Sequence, residues 1–183
     1  MRWAWLMGLL VLVGCVEAPS EIGREHYFDV AEFLEKQATR LTESGATVRK
    51  TVLLNGREER TVAGAVNWAR ELAPFEAADL NRPAWRDRYR IDTVRRGEER
   101  RVTYVARDED LPVDRLELLL RGEHLHELRV DLRNRNVLYD SRRRLELFCD
   151  STTHLVRSYG VRGYQKLILR DSVRFAVNAR LVE

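Results

Sequence analysis

From Asp29 onward the apolar residues follow two periods, first helical and then strand-like. Val30, Phe33, Leu34, Ala38 and Leu41 recur at three- and four-residue steps and form one helical face, while Glu35, Lys36 and Arg40 lie elsewhere. Asp29 stands where an N-cap carboxylate accepts from the first free amides. Glu32 three residues later completes a capping box, and Phe28 and Phe33 flank them at staple positions. Gly45 supplies the stop, so a helix is predicted over residues 30–44. Residues 47–54 and 57–62 are β-prone and joined by Asn55-Gly56, a pair that tolerates the positive φ of a type I′ turn; they predict a hairpin. A second helix is expected over residues 64–80, with Trp68, Leu72 and Phe75 along one side. Pro74 lacks an amide hydrogen and should kink or restart it, and Asn81-Arg82-Pro83 should end it.

From Trp85 the period becomes two. Tyr89, Ile91 and Thr93 alternate with Arg88, Arg90 and Asp92 up to a turn at Gly97-Glu98. Val102, Tyr104 and Ala106 follow, then a loop at 108–112, after which Leu116, Leu118 and Leu120 alternate with Arg115, Glu117 and Arg121. Gly122-Glu123 turns the chain into a strand over 125–133, and Asn134-Arg135-Asn136 turns it into another over 137–149. A further strand is expected to start near His154, to be interrupted at Gly160 and Gly163, and to resume over 164–170. In the last, Val173, Phe175, Val177, Ala179 and Leu181 face one way and Arg174, Asn178 and Arg180 the other. Short turns between such strands make an antiparallel meander, and one apolar face beside one charged face means that one side is covered. The two N-terminal helices are the elements free to cover it. The predicted fold class is therefore α+β: a large curved antiparallel β-meander of about seven strands, plus an N-terminal hairpin, with two N-terminal helices packed on its inner face.

The first fifteen residues belong to neither period. Arg2 supplies a positive start, and residues 4–13 are an apolar run of ten. As a helix that run reaches about 15 Å, half the roughly 30 Å hydrocarbon core, so it is too short for an ordinary spanning helix. It ends in Leu12-Val13-Gly14-Cys15. This tetrad resembles the lipobox of bacterial lipoproteins. The resemblance implies that the Cys15 thiol takes a diacylglycerol, that the chain is cut before Cys15, and that the new amino group is acylated in many cases. Two or three acyl chains would anchor the protein stably to a membrane. In enterobacterial lipoproteins an Asp after the Cys favours the inner membrane; Val16 stands here, which leans toward the outer membrane, facing the periplasm. Three parts follow: a signal peptide at 1–14, a lipidated tether at 15–25 containing Pro19, Ser20, Gly23 and three Glu, and a single globular domain at 26–183. The stretch from Tyr27-Phe28-Asp29 to Pro83-Ala84-Trp85 also looks like small envelope lipoproteins of Gram-negative bacteria, a likeness that implies no particular activity.

Composition narrows the remaining choices. A mature chain of 169 of the 183 residues fits one domain with a sizeable core. With Cys15 consumed as a thioether, Cys149 has no disulfide partner; its neighbours Leu145, Leu147 and Phe148 point to inert packing. The basic balance suggests nucleic acid, but the charges argue otherwise. Residues 15–80 carry 8 basic and 12 acidic side chains and residues 81–183 carry 23 and 17, interleaved as in Arg-Gly-Glu-Glu-Arg at 96–100. That is a solvated mixed surface rather than a phosphate track, so no nucleic-acid partner is expected.

Chemistry-bearing motifs are sparse. His124 and His126 lie two apart on an expected strand, sharing the side of Leu128, Val130 and Leu132, so both imidazoles are weak candidates for one metal ion. Zinc needs at least three protein ligands, and no nearby Cys or second His cluster supplies the rest, so no metal is expected. His26 and His154 read as isolated surface or turn residues. No Gly-x-Ser-x-Gly elbow, Ser-x-x-Lys or glycine-rich phosphate loop is present, and no catalytic residue or cofactor beyond the lipid on Cys15 is expected. Arg142-Arg143-Arg144 reads as a solvated strand segment, with contact to lipid phosphates or acidic glycans as the alternative. Two roles fit. One is a non-enzymatic envelope lipoprotein that meets the membrane through its acyl chains and works through an envelope protein or lipid partner. The other is a hydrophobic cup for lipid, similar in architecture to the half-barrels of the periplasmic lipoprotein carriers and their outer-membrane acceptor. If the helices fill the inner face with Phe33, Leu41, Trp68 and Phe75, no cup remains beneath them.

Overall fold

The computed structural model describes residues 27–135, 137–167 and 172–182; the leader, Cys15 and the tether lie outside the described residues. Helix α1 (Val30–Glu43) starts where its caps place it, with the Asp29 carboxylate accepting from the Glu32 amide at 2.7 Å and the Phe28 and Phe33 rings 6.2 Å apart. Strands β1 (Thr47–Leu54) and β2 (Arg57–Ala63) form the expected hairpin, and Asn55 (φ 48°) and Gly56 (φ 86°) both take the positive φ of its turn. The second helix is shorter than its pattern implied. Helix α2 spans only Trp68–Leu72, begins at Asn67, whose side chain accepts from the Arg70 amide at 2.9 Å, and gives way to a 3-10 turn over Ala73–Ala78. Pro74, within that turn, cannot donate the next α-helical bond.

Seven further strands follow: β3 (Tyr89–Arg96), β4 (Glu99–Ala106), β5 (Val113–Arg121), β6 (His124–Arg135), β7 (Tyr139–Cys149), β8 (Val156–Leu167) and β9 (Val173–Val182). All neighbours are antiparallel, in the order β2-β1-β9-β8-β7-β6-β5-β4-β3. The hairpin is thus not an appendage: β1 pairs with β9 from Thr47↔Val182 to Leu54↔Phe175, making one nine-stranded α+β sheet. Strand β8 runs unbroken through Gly160 and Gly163, where an interruption was expected; residues 168–170 of that expected strand lie outside the described residues. Gly163 instead permits a close strand approach, because a Cβ there would stand 2.4 Å from the Arg142 carbonyl oxygen and 3.1 Å from Arg143 Cα.

The helices lie on the inner face. Leu41, Trp68 and Phe75 are fully buried, Phe33 packs half-buried against them, and beneath lie Leu116, Leu128, Leu145 and Leu147 from the central strands. Coverage stops short of the margins. Only Tyr89 of β3 is buried, and Val52 and Leu54 of β1 are 37% and 50% exposed. The outer face is laced with ion pairs such as Arg144 on Asp131 (2.5 and 3.0 Å) and Arg121 on Glu99 (2.8 Å). Such exposed pairs contribute about 0–1 kcal/mol each, against about 1.5–3 kcal/mol for each large apolar side chain buried, so the inner face dominates stability. Trp68→Ala should destabilise by about 3–5 kcal/mol in a denaturant titration, whereas Val62→Ala, exposed on β2, should stay within about 0.5 kcal/mol.

Candidate functional site

The side chains with catalytic or ligating potential gather at one rim, where the β5–β6 and β7–β8 turns meet helix α1. The β7–β8 turn is built on Asp150, whose carboxylate accepts from the Thr152 and Thr153 amides at 2.8 and 2.9 Å. Those bonds hold its pKa below the usual carboxylate range. His154 closes the turn with φ +58° and its amide on the Asp150 carbonyl at 3.1 Å. Helix α1 grips this turn at three points. Gln37 donates to the His154 carbonyl at 2.9 Å and accepts from the Val156 amide at 2.8 Å, and Arg40 donates to the Thr153 carbonyl at 3.0 Å.

His154 is not isolated. Its ring stacks on that of His124 with centroids 3.6 Å apart and planes 6° from parallel, and His126 stands edge-on at 6.4 Å. The shared face expected for His124, His126 and Leu128 does not form. A β-bulge opposite Leu119 and Leu120 makes His126 an extra residue, so Leu125 turns inward while His124 is exposed. The lone pairs of parallel stacked rings lie in parallel planes and do not converge on one point. Among the described residues no group of three His, Cys, Asp or Glu is placed to hold a metal. The rim borders a cleft of about 540 Å³ between α1 and the turn, lined by Phe28, Phe33, Lys36, Arg40 and Glu123. The contact between 124 and 154 had one sequence signal: in an up-and-down meander alternate turns share a rim.

A second cleft, of about 560 Å³, opens beside the helices, where Val52, Val161 and Val177 of the inner face line it together with Phe75 of the lid. At its polar end Glu71 of α2 accepts the Tyr159 hydroxyl and pairs with Lys50. This clamp was not legible in the sequence, because it depends on β1 and β8 flanking β9. Burial first, and then the Glu71 carboxylate, push the Tyr159 pKa up. Cys149 is buried on the inner face, and burial, with Asp150 adding, pushes its thiol up to about 12. It is a packing residue, not a thiolate nucleophile at neutral pH. Arg142, Arg143 and Arg144 divide between the faces, and among the described residues only Arg144 of the three pairs with a carboxylate, that of Asp131.

The stacked histidines carry a pH dependence with a definite sign. Desolvation first, then the neighbouring His124, His126 and Arg40, hold the His154 pKa below its ordinary value. The unfolded chain therefore binds a proton more readily than the folded one, and stability is lost as pH falls below about 6.5. The thermal midpoint should drop across that range in the wild type and drop less in His154→Asn, which keeps a residue suited to positive φ and removes the titration.

No known protein-family model matches this chain, and no curated protein or solved structure is significantly similar to it.

Proposed function

We propose that this chain is a lipid-anchored envelope protein that acts by contact with a partner rather than by catalysis. The observation that carries this reading is Leu12-Val13-Gly14-Cys15 at the end of a ten-residue apolar run. The start of the fold supports it. The Tyr27 amide donates to Asn81 Oδ1 at 3.0 Å, its hydroxyl to the Trp85 carbonyl at 3.2 Å, and its ring packs edge-on to Tyr89 and Tyr104 at 5.8 and 5.6 Å. The domain is thus fastened at its first described residue, twelve residues after Cys15, and no described helix is long and apolar enough to cross a membrane.

A second reading, a carrier of a hydrophobic ligand, rests on the lateral cleft beside Val52, Val161 and Val177. The space beneath the helices is filled by Leu41, Trp68 and Phe75, so such a ligand would lie beside them rather than inside a cup. One experiment separates the two. Cells expressing the wild type or Cys15→Ala are given a labelled acyl precursor, and the purified proteins are then extracted with organic solvent. The lipoprotein reading expects label that resists extraction and is lost in Cys15→Ala; equal covalent incorporation in both proteins overturns it. The carrier reading expects extractable lipid, in stoichiometric amount, from both.

A further inference from the structure

Successive turns of the meander alternate between two rims, and the rim opposite the histidines carries a different surface. There β6 ends, β7 begins, and Val137 and Leu138 stand 85% and 70% exposed at the hairpin end. These are the most exposed of the large apolar side chains among the described residues. Water-exposed apolar side chains at a projecting tip, rather than scattered over a face, mark a contact surface.

The tip wears a basic collar. Arg133 pairs in register with Arg142 on the outer face, Arg143 faces inward opposite Leu132, and Arg135 lies nearest the tip. Lys166, opposite Asp140, adds a fifth cation. Against these five stand the Asp140 carboxylate and that of Asp114, which feels the charges of Arg133 and Arg142. None of the four arginines makes an ion pair among the described residues, in contrast to Arg144 one step along β7. Guanidinium groups are weakly hydrated and match phosphate oxygens two at a time, so an apolar tip with an arginine collar is chemically complementary to a lipid interface bearing phosphate.

The chain enters the domain over the β3–β4 side of the sheet, with Phe28 reaching the cleft at the histidine rim. Tyr27 packs on Tyr89, the first residue of β3, and Tyr89 pairs with Ala106 at the end of β4; the loop beyond leads to Val113, which pairs with Leu132 near the end of β6. The twelve residues from Cys15 to Tyr27 span at most about 40 Å. A lipid on Cys15 would therefore hold the domain within that distance of the bilayer.

We propose that the β6–β7 end is a membrane-contact surface: Val137 and Leu138 enter the interface of an anionic bilayer, and Arg133, Arg135, Arg142 and Arg143 bind its phosphates. This deepens the lipoprotein reading by giving the tethered domain an orientation, and it rests on that reading only for which membrane lies within reach.

The test uses the full chain mixed with excess vesicles of phosphatidylethanolamine and phosphatidylglycerol, brominated along their acyl chains to quench tryptophan. Val137→Trp places a reporter at the tip; Val62→Trp places one on an exposed valine of β2 at the opposite rim. The parent protein supplies the background from its own tryptophans. The Val137 reporter should shift to the blue and be quenched well beyond that background, while the Val62 reporter is not. Replacing the four arginines by Gln should weaken vesicle affinity by at least about tenfold, and phosphatidylcholine vesicles should bind as poorly as that variant. Quenching at Val137→Trp no greater than at Val62→Trp, or undiminished without the four arginines, overturns the proposal. Both reporters are also measured with Cys15→Ala. A chain that takes no acyl label in cells in either form, yet is quenched at the tip, leaves the contact surface standing while the anchor fails.

Discussion

One apolar face must be kept from water, and the chain has few residues with which to do it. Nine strands present an inner surface that includes Val102, Leu116, Leu118, Leu128, Val130, Leu145 and Leu147, and the 14 residues of α1 with the short α2 and its 3-10 turn form the lid. Large side chains make up for the small lid. Trp68 and Phe75 are among the largest fully buried side chains, and truncating either would leave a cavity under the lid. Coverage ends before the sheet does, which is why edge strands β2 and β3 are nearly all exposed and heavily charged. Charge on an edge also opposes pairing with another chain.

Polar groups are used where the lid meets the sheet margin. Gln37 satisfies both the His154 carbonyl and the Val156 amide, Glu71 takes the Tyr159 hydroxyl and the Lys50 ammonium, and Asn81 receives the Tyr27 amide. A neutral hydrogen bond such as those of Gln37 and Asn81 adds only about 1 kcal/mol net, far less than a buried Trp, so these two residues set register more than they set stability. Their positions set the two rims apart. One rim is locked to helix α1 through Gln37 and Arg40, and the other carries the exposed Val137 and Leu138 beside four arginines that make no ion pair among the described residues.

Sequence reasoning succeeded where the physics is local. Asp29 and the Phe28–Phe33 pair mark the start of α1, Asn55-Gly56 marks a hairpin, and alternation marks most later strands, because caps, turns and the pleat depend on residues within a few positions of one another. It failed where the cause is distant or one residue wide. The pairing of β1 with β9 joins positions 47 and 182, and no local pattern announces it. The bulge at His126 reverses the alternation that had placed His124 beside Leu128, and the stack of His124 on His154 needed that bulge and the positive φ of His154 together. The proposed anchor at Cys15 is the opposite case: that reading rests on four adjacent residues and owes nothing to the fold.

If covering the inner face is what the fold depends on, the lid cannot leave while the sheet stays. Native-state hydrogen exchange, followed amide by amide across a series of low denaturant concentrations, measures this directly. The inner-turn amides of α1 at Leu34, Ala38 and Leu41 should exchange with the same opening free energy as those of β6 and β7 at Leu128, Val130 and Leu145, while β2 exchanges sooner. Helix amides that exchange through a separate, lower-energy opening, with the central strands still protected, would contradict the account.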